Sequence, residues 1–212
     1  AGVHEGRYWL AMELVEGEPL STVLEREITV EEHRLVRIMI GTCRGLHAAH
    51  EAHVMHRDVK PGNLLIEGAD HVKITDFGSV LNMDAEATQI HQVGSLAYMS
   101  PEQLDGSNLD ARADLYSLGV MLYQLLAGML PFRGESMSEL MFKIANEPHA
   151  DIRTVNPALP TCVAAVINKS LAKDPDQRYQ TGEQMAKAIR LCLGTMNAPA
   201  KPAAAEIGRA HV

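Results

Sequence analysis

The sequence predicts an α+β fold that is mostly helical after its first strand. Three observations support this. Residues 30–52 carry apolar side chains at helical spacing over several turns. Two short β-prone runs, Leu64-Leu65-Ile66 and Val72-Lys73-Ile74, flank a glycine-containing turn. Residues 115–132 contain no charged side chain and read as the buried centre of one large domain.

Taken in order, residues 8–15 (YWLAMELV) are aromatic and aliphatic and stop at Glu16-Gly17-Glu18-Pro19, which predicts a strand ending in a turn. Residues 30–52 predict a long helix on which Leu35, Ile38, Met39, Cys43, Leu46 and Ala49 recur at helical spacing. Residues 53–63 predict a loop leading into the two short strands. Two strands alone make no stable sheet, so these are expected to lie on the helices. Residues 77–109 show no sustained period. Helices follow over 110–127, 136–146, 161–171 and 181–193, with Asp174-Pro175 breaking the pattern between the last two. From Gly194 onward the Ala/Pro-rich composition reads as linker or disorder.

Composition narrows the class. A chain of 212 residues with 46% hydrophobic and 22% charged side chains can bury one sizeable core. The net charge of −8 and a pI near 5.7 argue against a nucleic-acid surface, which needs a basic footprint. Cys43, Cys162 and Cys192 are odd in number and far apart with no C-x-x-C, so they read as reduced thiols of a cytoplasmic protein. No basic start followed by an apolar run marks a secretory signal. The 115–132 stretch reaches the lower edge of membrane-span length, about 18 residues. Ser117, Gln124, Gly128 and Pro131 interrupt it, and Asp114 and Arg133 bound it, which favours a buried helix over a span.

Two motifs carry chemistry. In His56-Arg57-Asp58-Val59-Lys60-Pro61-Gly62-Asn63, the spacing can aim the Asp58 carboxylate at a nucleophile while the Asn63 amide oxygen faces a metal. Lys60 can reach a phosphate as a point charge. In Asp76-Phe77-Gly78, a carboxylate at a strand end is a hard-oxygen ligand suited to Mg2+, and Gly78 lets the backbone turn. Alone, the second motif is an ordinary turn. The two together, this close in the chain, are a kinase signature pair.

From about Val3 to Leu193 the sequence resembles the eukaryotic-type protein kinases, closest in look to the bacterial Ser/Thr kinases. The resemblance implies a protein-kinase-like fold with three stretches. Residues 1–17 would be the last strand of the ATP-covering lobe and the hinge, 18–193 the helical C-terminal lobe, and 194–212 a tail. It implies that Met12, Glu13 and Val15 form the hinge that binds adenine, with Met12 as gatekeeper and Leu65 beneath the ring. Asp58, Lys60, Asn63 and Arg57 would be catalytic, and Asn63 and Asp76 would hold Mg2+ or Mn2+ with ATP. Arg57 would couple activity to a phosphate on the activation segment, to which Phe77, Gly78, Thr88, Ser95 and Glu102 belong.

Ser95 stands where relatives have threonine and keeps the hydroxyl that bridges Asp58 and Lys60 in the family. Ser100-Pro101-Glu102 matches Ala-Pro-Glu, with Arg178 as partner of Glu102, and residues 110–119 open the central buried helix that carries Asp114. His56 is the motif histidine, and Lys60 separates the Ser/Thr class from the tyrosine class. The implied partners are protein substrates with Ser or Thr acceptors, with no nucleic acid and no membrane span in these residues.

No Gly-x-Gly-x-x-Gly precedes Met12 and no lysine precedes Lys60. The resemblance therefore implies that the phosphate-covering loop, the strand lysine and its helix glutamate lie upstream of Ala1. Two other readings stay open: a non-catalytic kinase-like binding module, and a small-molecule phosphotransferase with an H-x-D-x-x-x-x-N loop. Glu102, Arg178 and Lys60 weigh against the latter. His47, His50, His53 and His56 fall three apart, a spacing that zinc sites do not favour. Thr88 is equally a solvated loop hydroxyl or a regulatory phosphosite.

Overall fold

The structure, a computed structural model, describes residues 2–9, 11–27, 30–77, 95–106 and 109–196. Gly78 and Thr88 lie outside them. The chain begins with an antiparallel hairpin, β1 (Gly2–His4) and β2 (Arg7–Trp9), in the register Gly2 to Trp9. A strand was expected over residues 8–15, whereas β2 spans Arg7–Trp9 and residues 11–17 form no regular element.

The predicted turn at Glu16-Gly17-Glu18-Pro19 instead delivers a short edge strand, β3 (Glu18–Pro19). It pairs antiparallel with β4 (Leu64–Glu67), which pairs with β5 (His71–Ile74) in the order β3-β4-β5. Proline is tolerated here because an edge strand needs no second ladder donor. Gly17 is required by proximity, since a Cβ there would sit 2.8 Å from the Ile66 carbonyl oxygen. The β4–β5 turn uses Gly68 at φ +53° and Asp70 at φ +69°. Helix α1 (Leu20–Arg26), which the sequence reading did not anticipate, follows β3 and buries Leu20 and Val23.

Helix α2 (Glu32–Glu51) buries the predicted stripe, including Leu35, Ile38, Met39, Cys43 and Leu46. Sheet strand β5 lies directly on it. Gly41 and Gly45 make room: a Cβ at Gly45 would meet Ile74 Cδ1 at 2.8 Å, and one at Gly41 would meet Val72 Cγ2 at 3.3 Å. The small sheet thus rests on helix, as two short strands require.

Helix α3 (Pro101–Asp105) falls in the stretch read as irregular and is capped by Ser100. Helix α4 (Arg112–Ala127) accounts for the uncharged run. It is buried around nearly its whole circumference and ends at Gly128, in the left-handed region at φ +68°. No helix among the described residues is long and apolar enough to cross a membrane. Helices α5 (Met137–Asn146), α6 (Ile152–Val155), α7 (Thr161–Ser170) and α8 (Gly182–Met196) surround α4 and α2, with a 3-10 turn over Pro175–Gln177 where the break was expected. The last helix runs past the expected end at 193, so Gly194 is helical and does not begin the tail. Gly182 passes over α2, where a Cβ would come within 2.4 Å of the Cys43 carbonyl oxygen.

Candidate active site

Residues 53–63 are aimed by their two ends. Helix α2 closes with His53 at φ +59° and the Val54 N–H on the Ala49 carbonyl at 2.9 Å, which turns the chain sharply toward the sheet. At the far end Pro61 opens a 3-10 turn, Pro61–Asn63, that runs into β4. Between them the loop is gripped by Asp114 of α4, itself 1% exposed. One oxygen of Asp114, Oδ2, accepts from His56 N–H at 2.9 Å and meets His50 Nε2 at 2.7 Å; the other, Oδ1, accepts from Arg57 N–H at 2.7 Å. A buried carboxylate facing three nitrogens offsets its own desolvation and fixes the loop's path.

His56 is fully buried. Its Nδ1 accepts from the Asp58 N–H at 3.2 Å, so the proton sits on Nε2, which donates to the Thr75 carbonyl at 2.7 Å. Its ring meets that of Phe77 at 4.8 Å between centroids, tilted by 57°. His56 therefore fastens the loop to the end of β5, where Asp76 stands at φ +61°. The Thr75 N–H, bonded to the Asn63 carbonyl at 3.0 Å, adds a second fastening.

The Asp58 carboxylate receives Lys60 Nζ at 2.6 Å and Asn63 Nδ2 at 3.0 Å, both on Oδ2. Lys60 Nζ also donates to Ser95 Oγ at 2.7 Å. Asn63 Nδ2 donates to the Asp58 carbonyl as well, at 2.8 Å. With its nitrogen engaged by Asp58, Asn63 has Oδ1 on the other side of the carboxamide for a cation. An amide oxygen and the Asp76 carboxylate are both hard-oxygen donors, the chemistry a small divalent metal prefers.

Beside this cluster opens a cleft with a volume of about 750 Å³, lined by residues 12–15, Leu65 and residues 73–77. Met12, Glu13, Val15, Leu65, Asp76 and Phe77 thus share one concave surface. Lys73, which sequence reasoning passed over, lines it too and meets Glu13 at 2.5 Å. The pairing holds the Glu13 carboxyl below its usual range and the Lys73 ammonium above its own. Being exposed, the pair orients the cleft wall more than it stabilises the fold.

Glu102 and Arg178 pair with each other and do not line the cleft. The side chain of Arg57 is exposed. Further contributors were missed. His50 was considered only as a metal ligand, yet it belongs to the Asp114 network. Gln103 donates to the Arg57 carbonyl at 2.8 Å, and its signal was present in the sequence as the capping pattern Ser-x-x-Gln. Tyr98 anchors the segment after Ser95 by its hydroxyl on Gln124 Oε1 at 2.5 Å, and burial pushes its phenol up to about 12.

Comparison with known proteins gives a consistent answer. The family model described as "Protein kinase domain" matches residues 3–189. The serine/threonine-protein kinase PknA of Mycobacterium tuberculosis is 40% identical over 188 residues, covering 87% of this chain and 43% of the relative. PknB of the same species is 34% identical over 191 residues, 88% of this chain and 30% of the relative. A protein named as a probable serine/threonine-protein kinase of Clostridium perfringens is 35% identical over 187 residues, 87% of this chain and 27% of the relative. The chain thus spans less than half the length of these relatives.

Proposed function

This chain belongs to the protein kinase family, and we propose that the protein carrying it transfers the γ-phosphoryl group of ATP to serine and threonine hydroxyls of other proteins. The observation that carries the reading is the cluster in which Lys60 Nζ bridges Asp58 Oδ2 and Ser95 Oγ beside the cleft. It gathers an acceptor for a hydroxyl proton, a fixed positive charge and a hydroxyl from a segment 35 residues away.

Asp58 orients the acceptor hydroxyl. As the oxygen bonds to the γ-phosphorus and the bridge to the β-phosphate breaks, Asp58 takes the hydroxyl proton and ADP leaves. No strong base is needed, because the transition state is loose and catalysis is mainly positioning and charge stabilisation. Lys60 neutralises charge on the transferring group and, through Ser95, keeps the substrate-side segment in register with Asp58. Asn63 Oδ1 and Asp76 would hold Mg2+ or Mn2+, and the hinge residues Met12, Glu13 and Val15 with Leu65 would receive the adenine. A divalent cation there supplies Lewis-acid neutralisation of phosphate charge. The three free cysteines fit the reducing cytoplasm, where ATP is available.

The test compares two substitutions in the full-length protein. Asp76→Asn removes charge from the metal site and should weaken Mg-ATP binding and abolish transfer together. Asp58→Asn should leave calorimetric Mg-ATP binding nearly intact while lowering turnover about 10²-fold or more. The reverse pattern would exchange the two roles, and no change in either variant would end the kinase reading of the loop.

A further inference from the structure

Arg57 immediately precedes Asp58 and sits at φ +69°, a conformation that residues with a Cβ keep only when their surroundings hold it. Both of its backbone polar groups are bound by side chains from distant elements. Its N–H donates to Asp114 Oδ1 at 2.7 Å. Its carbonyl accepts from Gln103 Nε2 at 2.8 Å, from a residue 46 positions along the chain. That carbonyl is one half of the Arg57–Asp58 peptide. The other half, the Asp58 N–H, is held by His56 Nδ1 at 3.2 Å.

The opposite end of the same carboxamide is also engaged. Gln103 Oε1 accepts from Ser100 N–H at 3.0 Å and from Ser100 Oγ at 3.2 Å, closing the first turn of α3. One side chain therefore joins the helix that follows the 95–100 segment to the peptide that sets the direction of Asp58.

We propose that Gln103 is a positioning residue for Asp58, its carboxamide orienting the Arg57–Asp58 peptide and tying the aim of the carboxylate to the seating of residues 95–105. This rests on the reading of Asp58 as the group that faces the acceptor hydroxyl. The position requires an amide because its two ends do opposite work. A helix cap alone would be served equally by glutamate, which the Ser-x-x-Glu box uses and the positive helix terminus favours. The Arg57 carbonyl would not be, since an ionised carboxylate has no hydrogen to donate and would set oxygen against oxygen. Small errors of aim are costly in phosphoryl transfer, where positioning is most of the catalysis.

In the full-length protein, Gln103→Glu should lower kcat about tenfold or more near neutral pH, leaving KM for ATP and the unfolding midpoint in place. The loss relative to wild type should shrink as the pH falls toward about 4, where the glutamate begins to carry a proton and regains a hydrogen for the carbonyl. Ser100→Ala removes a partner of the Gln103 oxygen but spares the Arg57 contact, and should keep kcat within about twofold. Gln103→Met removes both ends and should lose turnover as Gln103→Glu does; it decides the matter if Gln103→Glu fails to fold. Wild-type kcat in the folded Gln103 variant, or an equal loss in Ser100→Ala and Gln103→Met, overturns the proposal. Full turnover by Asp58→Asn in the same assay would bring down the reading of Asp58 itself, and this proposal with it.

Discussion

The guanidinium of Arg178 meets the carboxylate of Glu102 through two parallel contacts, Nη1 to Oε1 at 2.6 Å and Nη2 to Oε2 at 2.8 Å, with both side chains sealed from solvent. The pair spans 76 residues and ties α3 to the turn before α8. Arg178 also donates to the carbonyls of Ala172 and Lys173, at 2.7 and 2.8 Å, and lies over the Tyr116 ring.

The two partners are therefore not equivalent. Arg178→Ala strands a buried carboxylate whose hydrogen bonds among the described residues all come from Arg178, and should cost on the order of 3–5 kcal/mol. Glu102→Gln leaves Arg178 its carbonyl partners and one amide oxygen, and should cost clearly less. Urea midpoints for the two variants check the order; equal losses would mean the carbonyl contacts contribute nothing.

Lys173 gives stability a pH dependence. Its Nζ reaches the Ile144 carbonyl at 2.5 Å at the end of α5 and sits 4.1 Å above the Phe132 ring. Burial, aided by the charge of Arg178, pulls it from the usual 10.5 down to about 8. Between those values the unfolded chain binds a proton that the folded chain does not, so stability rises with pH through that window. Below it the burden of the buried charge is fully present. Wild type should gain on Lys173→Met when unfolding midpoints at about pH 7 and about pH 9.5 are compared. A constant difference would show that the carbonyls and the ring hold the ammonium charged throughout.

Gly119 is where α4 and α7 touch. A Cβ there would lie 2.5 Å from Ser170 Cβ and 3.3 Å from Leu171 Cδ2. Gly119→Ala should cost about 1–3 kcal/mol by overpacking, despite the better helix propensity of alanine. Ser170→Gly on that background should recover part of the loss, a coupling that a double-mutant cycle of unfolding energies reads directly.

The 212 residues assayed alone should phosphorylate a generic protein substrate very poorly. They contain no Gly-x-Gly-x-x-Gly before Met12 and no lysine before Lys60 to clamp the phosphates and exclude water. Turnover within a few-fold of a lobe-complete kinase would refute this.

Residues close in the chain declared themselves early. The long stripe of α2 and the charge-free α4 followed from side chains a few positions apart, whose spacing a helix converts into one face or a fully buried rod. The Asp58, Lys60 and Asn63 group is equally local, because a turn of a few residues brings all three to one point. Other features depended on partners far along the chain. Pro19 joins a sheet because Leu65 arrives beside it. His50 met Asp114 across 64 residues, and Gln103 met Arg57 across 46. Spacing along the chain cannot encode such contacts; they exist only once the apolar faces of α2, α4 and their neighbours have packed and left each buried polar atom to find whichever partner lies within reach.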